Sequence, residues 1–398
     1  MKKTITLSMM LMFGIALTGT GCTAEQPPNF AFELYRTTAK EKPAGKPAGK
    51  PTGNVVVSPY CAELLLDFVR SGAAGETKAE IDKVLGRTGV QWESAVPPLT
   101  TAAALWTQKD YSILPAFQET AKEKFGASAE QADFVNNSAD AIRRINGWCS
   151  EKTNGKITSL FDSLDATTRC VLAGAIHFAA DWKVPFNKDL TMDADFTLLD
   201  GSKVKTKIMS RSETTNYGET DETLIVELPY KDEGYAMLLL LPKDSAQFAD
   251  WEAKLTAETL KMLREGMKPV QVDLRMPKFT VESDLGLNET LKQLGMATAF
   301  GQDADFSGIS GQKDLYLSEV RQKTFVKVDE TGTEAAAVTG AVIAVKMAIA
   351  TKPFYANRPF LYLILKDSEI LFFGRFAQPE TPAPPVDPGL DGDGGTFS

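Results

Sequence analysis

The chain has a single histidine, His177, in 398 residues. A metal site built from two or more histidines is therefore excluded, and a Ser-His-Asp or Cys-His nucleophile would depend on this one side chain. His177 lies in the apolar run AGAIHFAADW, where a histidine is more often a packed side chain than a base. HExxH, CxxC, P-loop and GxGxxG patterns are also absent from the sequence. An enzyme would have to use His177 or a carboxylate pair that the sequence does not single out, and we expect no catalytic, metal or cofactor site.

Cysteine and positive charge are also scarce. Apart from Cys22 the cysteines are Cys61, Cys149 and Cys170, an odd number that cannot pair completely, so we expect buried free thiols and no disulfide framework. Lysine and arginine number 43 against 52 aspartates and glutamates, a net charge of −9. No basic patch is dense enough to neutralise a run of phosphates, which excludes nucleic acid as a partner.

The N-terminus has the features of an export signal. Two lysines precede an apolar run ending at Leu17, which is too short and wrongly flanked for a membrane-spanning helix. The tripeptide GTG leads into Cys22 and resembles a bacterial lipobox, in which cleavage falls before the cysteine and its thiol takes up lipid. We expect a signal peptide over 1–21, a lipid-anchor linker over 22–28 and an exported protein that meets the membrane only through this anchor. Ordinary secretion is the alternative.

The rest of the chain combines a large core with two segments that do not fold. At 43% hydrophobic content the sequence can bury a sizeable core. The repeat KPAGKPAGKPTG at 42–53 resists helix and sheet, and we interpret it as a solvated spacer in preference to a basic loop for polyanions. The tail over 379–398 has too little apolar content to fold and is expected to be disordered. Strand-like runs such as TAAALWTQ and YAMLLLLPK mix irregularly with helical runs such as YCAELLLDFVRSG, which favours an α+β fold.

One segment near the end, VDETGTEAAAVTGAVIAVKMAIATK at 328–352, does not fit an ordinary element. Between Ala335 and Val345 it carries no charge and few side chains larger than valine. It then passes into Lys346 and Met347 without a turn signal or a cap. A buried strand or an alanine-rich helix would account for the small residues but not for this continuation.

This segment and its flanks resemble a serpin. VDETGTEAAAVT is similar to the hinge of inhibitory serpins, and FYANRPFLYLI at 354–364 is similar to the family's C-terminal signature. Further matches in family order are NVVVSP, INGWCSEKTNGKI, FAADWKVPF, LPYKDEGYAMLLLLPK, MPKFTVESDLGLNETLKQLGM and DFSGIS, so the resemblance covers 29–378. It implies a serpin of bacterial lipoprotein type, monomeric, with three β-sheets, eight or nine helices and an exposed reactive-centre loop. The segment LGRTGVQWESAVPPLT is shorter than usual, and a glycosaminoglycan cofactor is not expected.

The resemblance also implies a mechanism. A target protease cuts the loop and is still attached as an acyl-enzyme when the freed loop inserts into the main sheet and distorts the protease. The implied hinge consists of Glu330, Gly332, Thr333, Glu334, Ala335, Ala336, Ala337, Val338 and Thr339.

The loop has the composition that insertion requires. Side chains on a strand alternate between faces, so the inward set would be Thr333, Ala335, Ala337, Thr339 and Ala341. These residues are small and uncharged, whereas a charge or a proline there would cost several kcal/mol. About a dozen ladder bonds at about 1 kcal/mol net each would favour insertion by on the order of 10 kcal/mol before loop ordering is subtracted. The uncut form would then be metastable, held by a kinetic barrier.

The reactive bond is assigned by the same resemblance. Counted from Glu330 as in relatives, it falls between Lys346 and Met347. A basic residue there suits trypsin-like proteases, whose specificity pocket is acidic. A shift of one residue would present Val345 or Met347 and favour elastase-like or subtilisin-like targets. Cysteine proteases are a further class of target.

The implied region where the sheet opens comprises Lys278, Trp182, Ser58, Cys61, Gly174 and Gln322. Lys278 and Glu330 match a family ion pair which, if exposed, is worth about 0 to 1 kcal/mol, so we expect a positional role with Trp182 packed beneath it. Gly174 and Gln322 stand where relatives often have an asparagine and a histidine, and Cys61 replaces a serine. The usual hydrogen bond between those positions cannot form.

Two functions therefore remain in competition. The leading hypothesis is a suicide-type inhibitor of serine proteases. The alternative, favoured by Gly174 and Gln322, is a non-inhibitory serpin that acts as a binding or carrier module.

Overall fold

The computed structural model describes residues 30–40, 53–86, 92, 98–333 and 351–379. The expected signal peptide, Cys22, the linker over 22–28, nearly all of the 42–53 spacer and of the 379–398 tail, and the segment from Glu334 to Met347 lie outside these residues. In the described part of the chain no helix has the length and apolarity to span a membrane.

The described chain forms nine α-helices and sixteen strands. The helices are α1 Phe30–Lys40, α2 Pro59–Arg70, α3 Gly75–Leu85, α4 Pro115–Phe125, α5 Ser138–Lys152, α6 Phe248–Lys254, α7 Ala257–Glu265, α8 Asn288–Gln293 and α9 Ser307–Ser310. The strands are β1 Val55–Val57, β2 Leu99–Gln108, β3 Ser128–Ala132, β4 Cys170–Phe178, β5 Ala180–Asp181, β6 Met192–Thr197, β7 Lys203–Glu219, β8 Thr223–Pro229, β9 Tyr235–Pro242, β10 Lys268–Pro277, β11 Phe279–Gly286, β12 Glu319–Val328, β13 Gly332–Thr333, β14 Lys352–Tyr355, β15 Phe360–Lys366 and β16 Glu369–Phe376.

The larger sheet has nine strands in the order β1-β16-β15-β9-β8-β7-β10-β14, with β6 also on β7. The 17-residue strand β7 pairs in turn with β6, β10 and β8. Three sheets were expected from the resemblance. Among the described residues there are two continuous sheets, because the long strand β7 joins β6, β10 and β8 into one of them.

The smaller sheet has seven strands, and its centre is buried on both faces. Strands β3, β2, β4 and β12 follow one another, and β11 pairs with β12 on the other side. One face packs on α5 through a cluster that contains Trp106, Ile145 and Ala173. The opposite face packs on α2 and the larger sheet. This two-sided burial is why β2 and β4 read as apolar runs without alternation.

Local signals explain several element ends. The Ser58 hydroxyl accepts a hydrogen bond from the Cys61 backbone N–H and caps α2, whose first residue is Pro59. Helices α3 and α4 end at Gly86 and Gly126, both in the left-handed conformation that glycine adopts without strain. The expectation of buried free thiols is confirmed for Cys61, Cys149 and Cys170.

Candidate functional site

The smaller sheet is split at one end between β4 and β12. These two strands pair in parallel over six positions, 171–176 with 319–324. Within the part of the chain that the structure describes, no ladder pair joins 177–179 to 325–327. The next rung belongs to β13, which pairs with β12 through Val328 and Thr333 and with β5 through Gly332 and Thr333. The first two residues of an added strand therefore already lie in the mouth of the slit.

Gly332 and Thr333 fit this position closely. A Cβ atom on Gly332 would lie 2.1 Å from the Ala180 carbonyl oxygen, so only glycine allows the backbone to approach this near. Thr333 is 1% exposed, and its hydroxyl shares a 2.6 Å hydrogen bond with the hydroxyl of Tyr230. Burial raises the pKa of Tyr230 well above its ordinary value, so that hydroxyl remains protonated.

A short segment, 182–186, hydrogen-bonds to residues 329–331 at the start of the hinge. The backbone N–H of Trp182 donates to the Thr331 carbonyl and that of Phe186 to the Glu330 carbonyl, each at 2.8 Å. The indole N–H of Trp182 donates to the Asp329 carbonyl at 3.0 Å. The Trp182 ring also stacks on Tyr230 with centroids 4.5 Å apart.

Glu330 is held by two side chains. Lys278 Nζ lies 2.8 Å from its Oε2 atom, and the Thr191 hydroxyl donates to Oε1 at 2.9 Å. The lysine is 40% exposed but the glutamate only 5%, so the value given above for an exposed pair does not apply to the glutamate. Burial by itself raises the pKa of Glu330, but the hydrogen bonds from Lys278, its own backbone and Thr191 outweigh it and the pKa is lowered. Glu330 therefore stays ionised to a lower pH than a free glutamate does.

Glu330→Gln is expected to destabilise the uncut protein by about 1–3 kcal/mol, because it removes the charge from a buried hydrogen-bonded carboxylate. Since the folded pKa is lowered, the stabilisation is complete above the unfolded value of about 4.3 and is lost as the pH falls through the folded value. Thermal unfolding of both proteins between pH 3 and 7 checks this. The difference in Tm should be constant above about pH 5 and shrink below about pH 4. A difference that grows on acidification would contradict the assignment.

The residues beneath the paired part of β4 and β12 have different hydrogen-bond partners from those that the family pattern implies. Gly174 and Gln322 are direct register partners. The buried Gln322 amide accepts from the Ser58 backbone N–H at 2.9 Å and donates to the Ser58 carbonyl at 2.8 Å. A Cβ atom on Gly174 would lie 2.7 Å from the Cys61 sulfur, so the cysteine occupies the room that the glycine leaves. Burial raises the pKa of the Cys61 thiol to about 12.

The structure thus brings the described sheet-opening residues to two places on one seam. Lys278, Trp182, Glu330, Gly332 and Thr333 meet at the slit, and Ser58, Cys61, Gly174 and Gln322 meet below it. Sequence reasoning missed Tyr230 and Thr191. Tyr230 has a signal in LPYKDEG, an aromatic residue at the end of an apolar strand, but Thr191 has none. The roles of Lys346, Met347 and 334–339 stay predictions because those residues lie outside the described part.

The fold and this site define a class of protein whose smaller sheet is split between two strands and holds a further short strand, β13, at the mouth of the slit. A family model described as serpin (serine protease inhibitor) matches residues 25–379. The bovine (Bos taurus) leukocyte elastase inhibitor is 34% identical over 375 residues, which cover 88% of this chain and 97% of that protein. The chain belongs to the serpin family. This relationship supports protease inhibition as its function.

Solved structures give the same result. Serpin48 of the insect Tenebrio molitor, described as a highly specific serpin, superposes with a TM-score of 0.77 at 31% identity and covers 90% of this chain and all of that one. The complex of thyroxine-binding globulin with thyroxine superposes with a TM-score of 0.78 at 28% identity and covers 89% of this chain and 98% of that one. The α+β serpin fold predicted from the sequence is confirmed.

Proposed function

We propose that this serpin is a suicide-type inhibitor of serine proteases that traps the acyl-enzyme by inserting its cut loop between β4 and β12. The observation that carries the proposal is the seating of Gly332 and Thr333 at the mouth of the slit. Insertion then continues a strand that has already begun, and its first side chain is buried with a hydrogen-bond partner.

The ladder between β4 and β12 that insertion would have to separate is short. Six register positions join β4 to β12, and insertion exchanges their bonds for ladders on both sides of a new strand. The side-chain amide of Gln322 hydrogen-bonds to the backbone of Ser58 at the start of α2 and not to the facing strand β4. Separation of the two strands therefore leaves these two hydrogen bonds in place. This arrangement weighs against the interpretation of Gly174 and Gln322 as signs of a non-inhibitory serpin.

The target class follows from the reactive bond. Lys346 before Met347 favours trypsin-like proteases. The bovine relative is named as an elastase inhibitor, which supports the neighbouring assignment with Val345 in the pocket. Cysteine proteases and subtilisin-like proteases are weaker candidates on the same loop.

We further propose that the protein is exported as a monomer and fastened to a bacterial cell envelope through lipid on Cys22. The support is the order of charged, apolar and small residues before that cysteine. Palmitate labelling of the full chain, compared with Cys22→Ala, tests the anchor. Equal labelling of the two proteins would show that this cysteine carries no lipid.

The competing function is a carrier module without inhibition, for which the observation is the similarity to thyroxine-binding globulin. Incubation with trypsin and, separately, with elastase distinguishes the two. Inhibition predicts a covalent complex that survives SDS and whose mass identifies the scissile bond. Complete loop cleavage by both proteases without any complex would favour the carrier.

A further inference from the structure

The segment 182–186, which holds the proximal end of the loop, is contacted by a buried arginine in addition to its backbone contacts with Pro229 and Tyr230. Arg211 on β7 donates a hydrogen bond through Nη1 to the Val184 carbonyl. Its guanidinium carbon lies 4.4 Å from the centre of the Phe186 ring and 5.7 Å from that of Trp182. Because Trp182 and Phe186 bind the carbonyls of Asp329, Glu330 and Thr331, these contacts position the hinge indirectly.

The charge of Arg211 is balanced on its own strand. Arg211 Nη2 lies 2.5 Å from Glu213 Oε1, and both side chains are more than nine-tenths buried. Removal of one partner of a buried pair leaves the other charge uncompensated, so the loss of either side chain is costly. A planar guanidinium also stacks on aromatic rings in a way that an ammonium group does not.

The same strand leads directly to the distal end of the loop. Arg211 is in register with Leu274 on β10, and Leu274 is in register with Phe354 on β14. Likewise Glu213 faces Val272, which faces Lys352. β14 is the first element of the described chain that follows residues 334–350 in sequence. The ion pair on β7 therefore contacts segment 182–186 at the proximal end of the loop through Arg211. It lies two strands away from β14 at the distal end.

We propose that Arg211, balanced by Glu213, is a positioning residue that keeps the two ends of the reactive-centre loop in a single rigid frame. Its importance for inhibition rests on the proposed function. The frame itself is a property of the uncut protein. Without the guanidinium, the hinge support at 182–186 loses its side-chain contacts with β7 and keeps its backbone hydrogen bond to Pro229. The two ends of the loop then move more independently, and the loop reaches the protease in fewer competent conformations.

Hydrogen exchange of the uncut full chain, followed by mass spectrometry without protease, tests this frame. In Arg211→Met, peptides covering 329–333 and 352–355 should both exchange roughly tenfold faster, while β2 and β15 keep their protection. Arg211→Lys retains the charge but not the planar stacking group. Its exchange rates at these two peptides should lie between those of Arg211→Met and of the unaltered protein. It also keeps the test decisive if Arg211→Met does not fold.

Arg275→Met is the matched control. The Arg275 guanidinium lies 4.5 Å from the Tyr355 ring centre and pairs with Asp273, both on the distal side. This variant should change exchange at 352–355 alone. If Arg211→Met and Arg211→Lys leave either loop end unchanged, or speed exchange uniformly over the whole chain, Arg211 is not the link.

A kinetic measurement then separates this proposal from the proposed function. With trypsin, Arg211→Met should form the SDS-stable complex about three- to tenfold more slowly than the unaltered protein. Unchanged kinetics together with faster exchange would show that the frame exists but does not aid inhibition, which overturns the functional half of the proposal. Absence of a complex with the unaltered protein would count against the proposed function, and the exchange result would still decide the frame.

Discussion

Thr333→Arg is expected to convert the inhibitor into a substrate. Thr333 lies in the mouth of the slit, 1% exposed and bonded to the buried Tyr230 hydroxyl. An arginine there must either bury an unpaired charge, at several kcal/mol, or pull β13 out of the sheet. Either outcome slows insertion while hydrolysis of the acyl-enzyme proceeds at its usual rate. The number of inhibitor molecules consumed per protease molecule inactivated should rise at least about tenfold, since 1.4 kcal/mol of barrier already changes a rate ratio tenfold.

Thr214→Arg is the matched control for this variant. Thr214 is also a threonine on a strand, but its side chain is exposed on β7 and bonds to Gln271. The same change of size and charge at that position should leave the stoichiometry as it was. Ala337→Pro, outside the described residues, is expected from the sequence alone to act like Thr333→Arg because it deletes a ladder hydrogen bond on the inward face. Unchanged inhibition in both loop variants would show that insertion is not the working step.

Cleavage of the loop is expected to raise the melting temperature by about 10–30 °C. Insertion of about a dozen ladder bonds at about 1 kcal/mol net stabilises the cut form by on the order of 10 kcal/mol, before the entropy of ordering the loop is subtracted. In a chain of this size 1 kcal/mol shifts Tm by about 1–3 °C. Calorimetry of uncut protein and of protein cut once within 334–350 checks this, at one scan rate because the melting temperature of a kinetically trapped form would depend on that rate.

The cut form of Thr333→Arg provides the control for this measurement. If the increase comes from insertion, that cut variant should melt close to its uncut form. A carrier serpin whose sheet does not accept the loop predicts no increase for the unaltered protein either. An equal increase in both cut proteins would assign the stabilisation to a cause other than insertion at the slit.

The identity of the elements could be predicted from the sequence because their signals are local. The apolar runs of β2 and β9 and the helical run of α2 each indicate an element within about a dozen residues. The family motifs added the order of the elements. The Lys278–Glu330 contact also belongs to this inherited pattern, whereas the burial of Glu330 does not, since exposure depends on Thr191 and segment 182–186 from elsewhere in the chain.

The rewiring at Gly174 shows where a residue-by-residue comparison stops. The sequence indicated only that the usual hydrogen bond between the positions of Gln322 and Gly174 is lost. In the structure Gln322 clamps the backbone of Ser58, 264 positions away, and Cys61 fills the space above Gly174. The partner of a side chain depends on how distant segments pack against each other. A sequence motif does not contain this information, because it gives positions in the chain and no distances.

The composition and order of residues alone determined an α+β serpin, a loop whose inward-facing residues are small and uncharged, and the exclusion of a metal site with two or more histidines. Only the tertiary structure decided that β4 and β12 part after six positions, that Thr333 is already seated on Tyr230, and that Arg211 lies between the two ends of the loop. Strand and helix periodicities are written in neighbouring residues, whereas a slit and a buried ion pair arise only when segments distant in the chain compete for the same space.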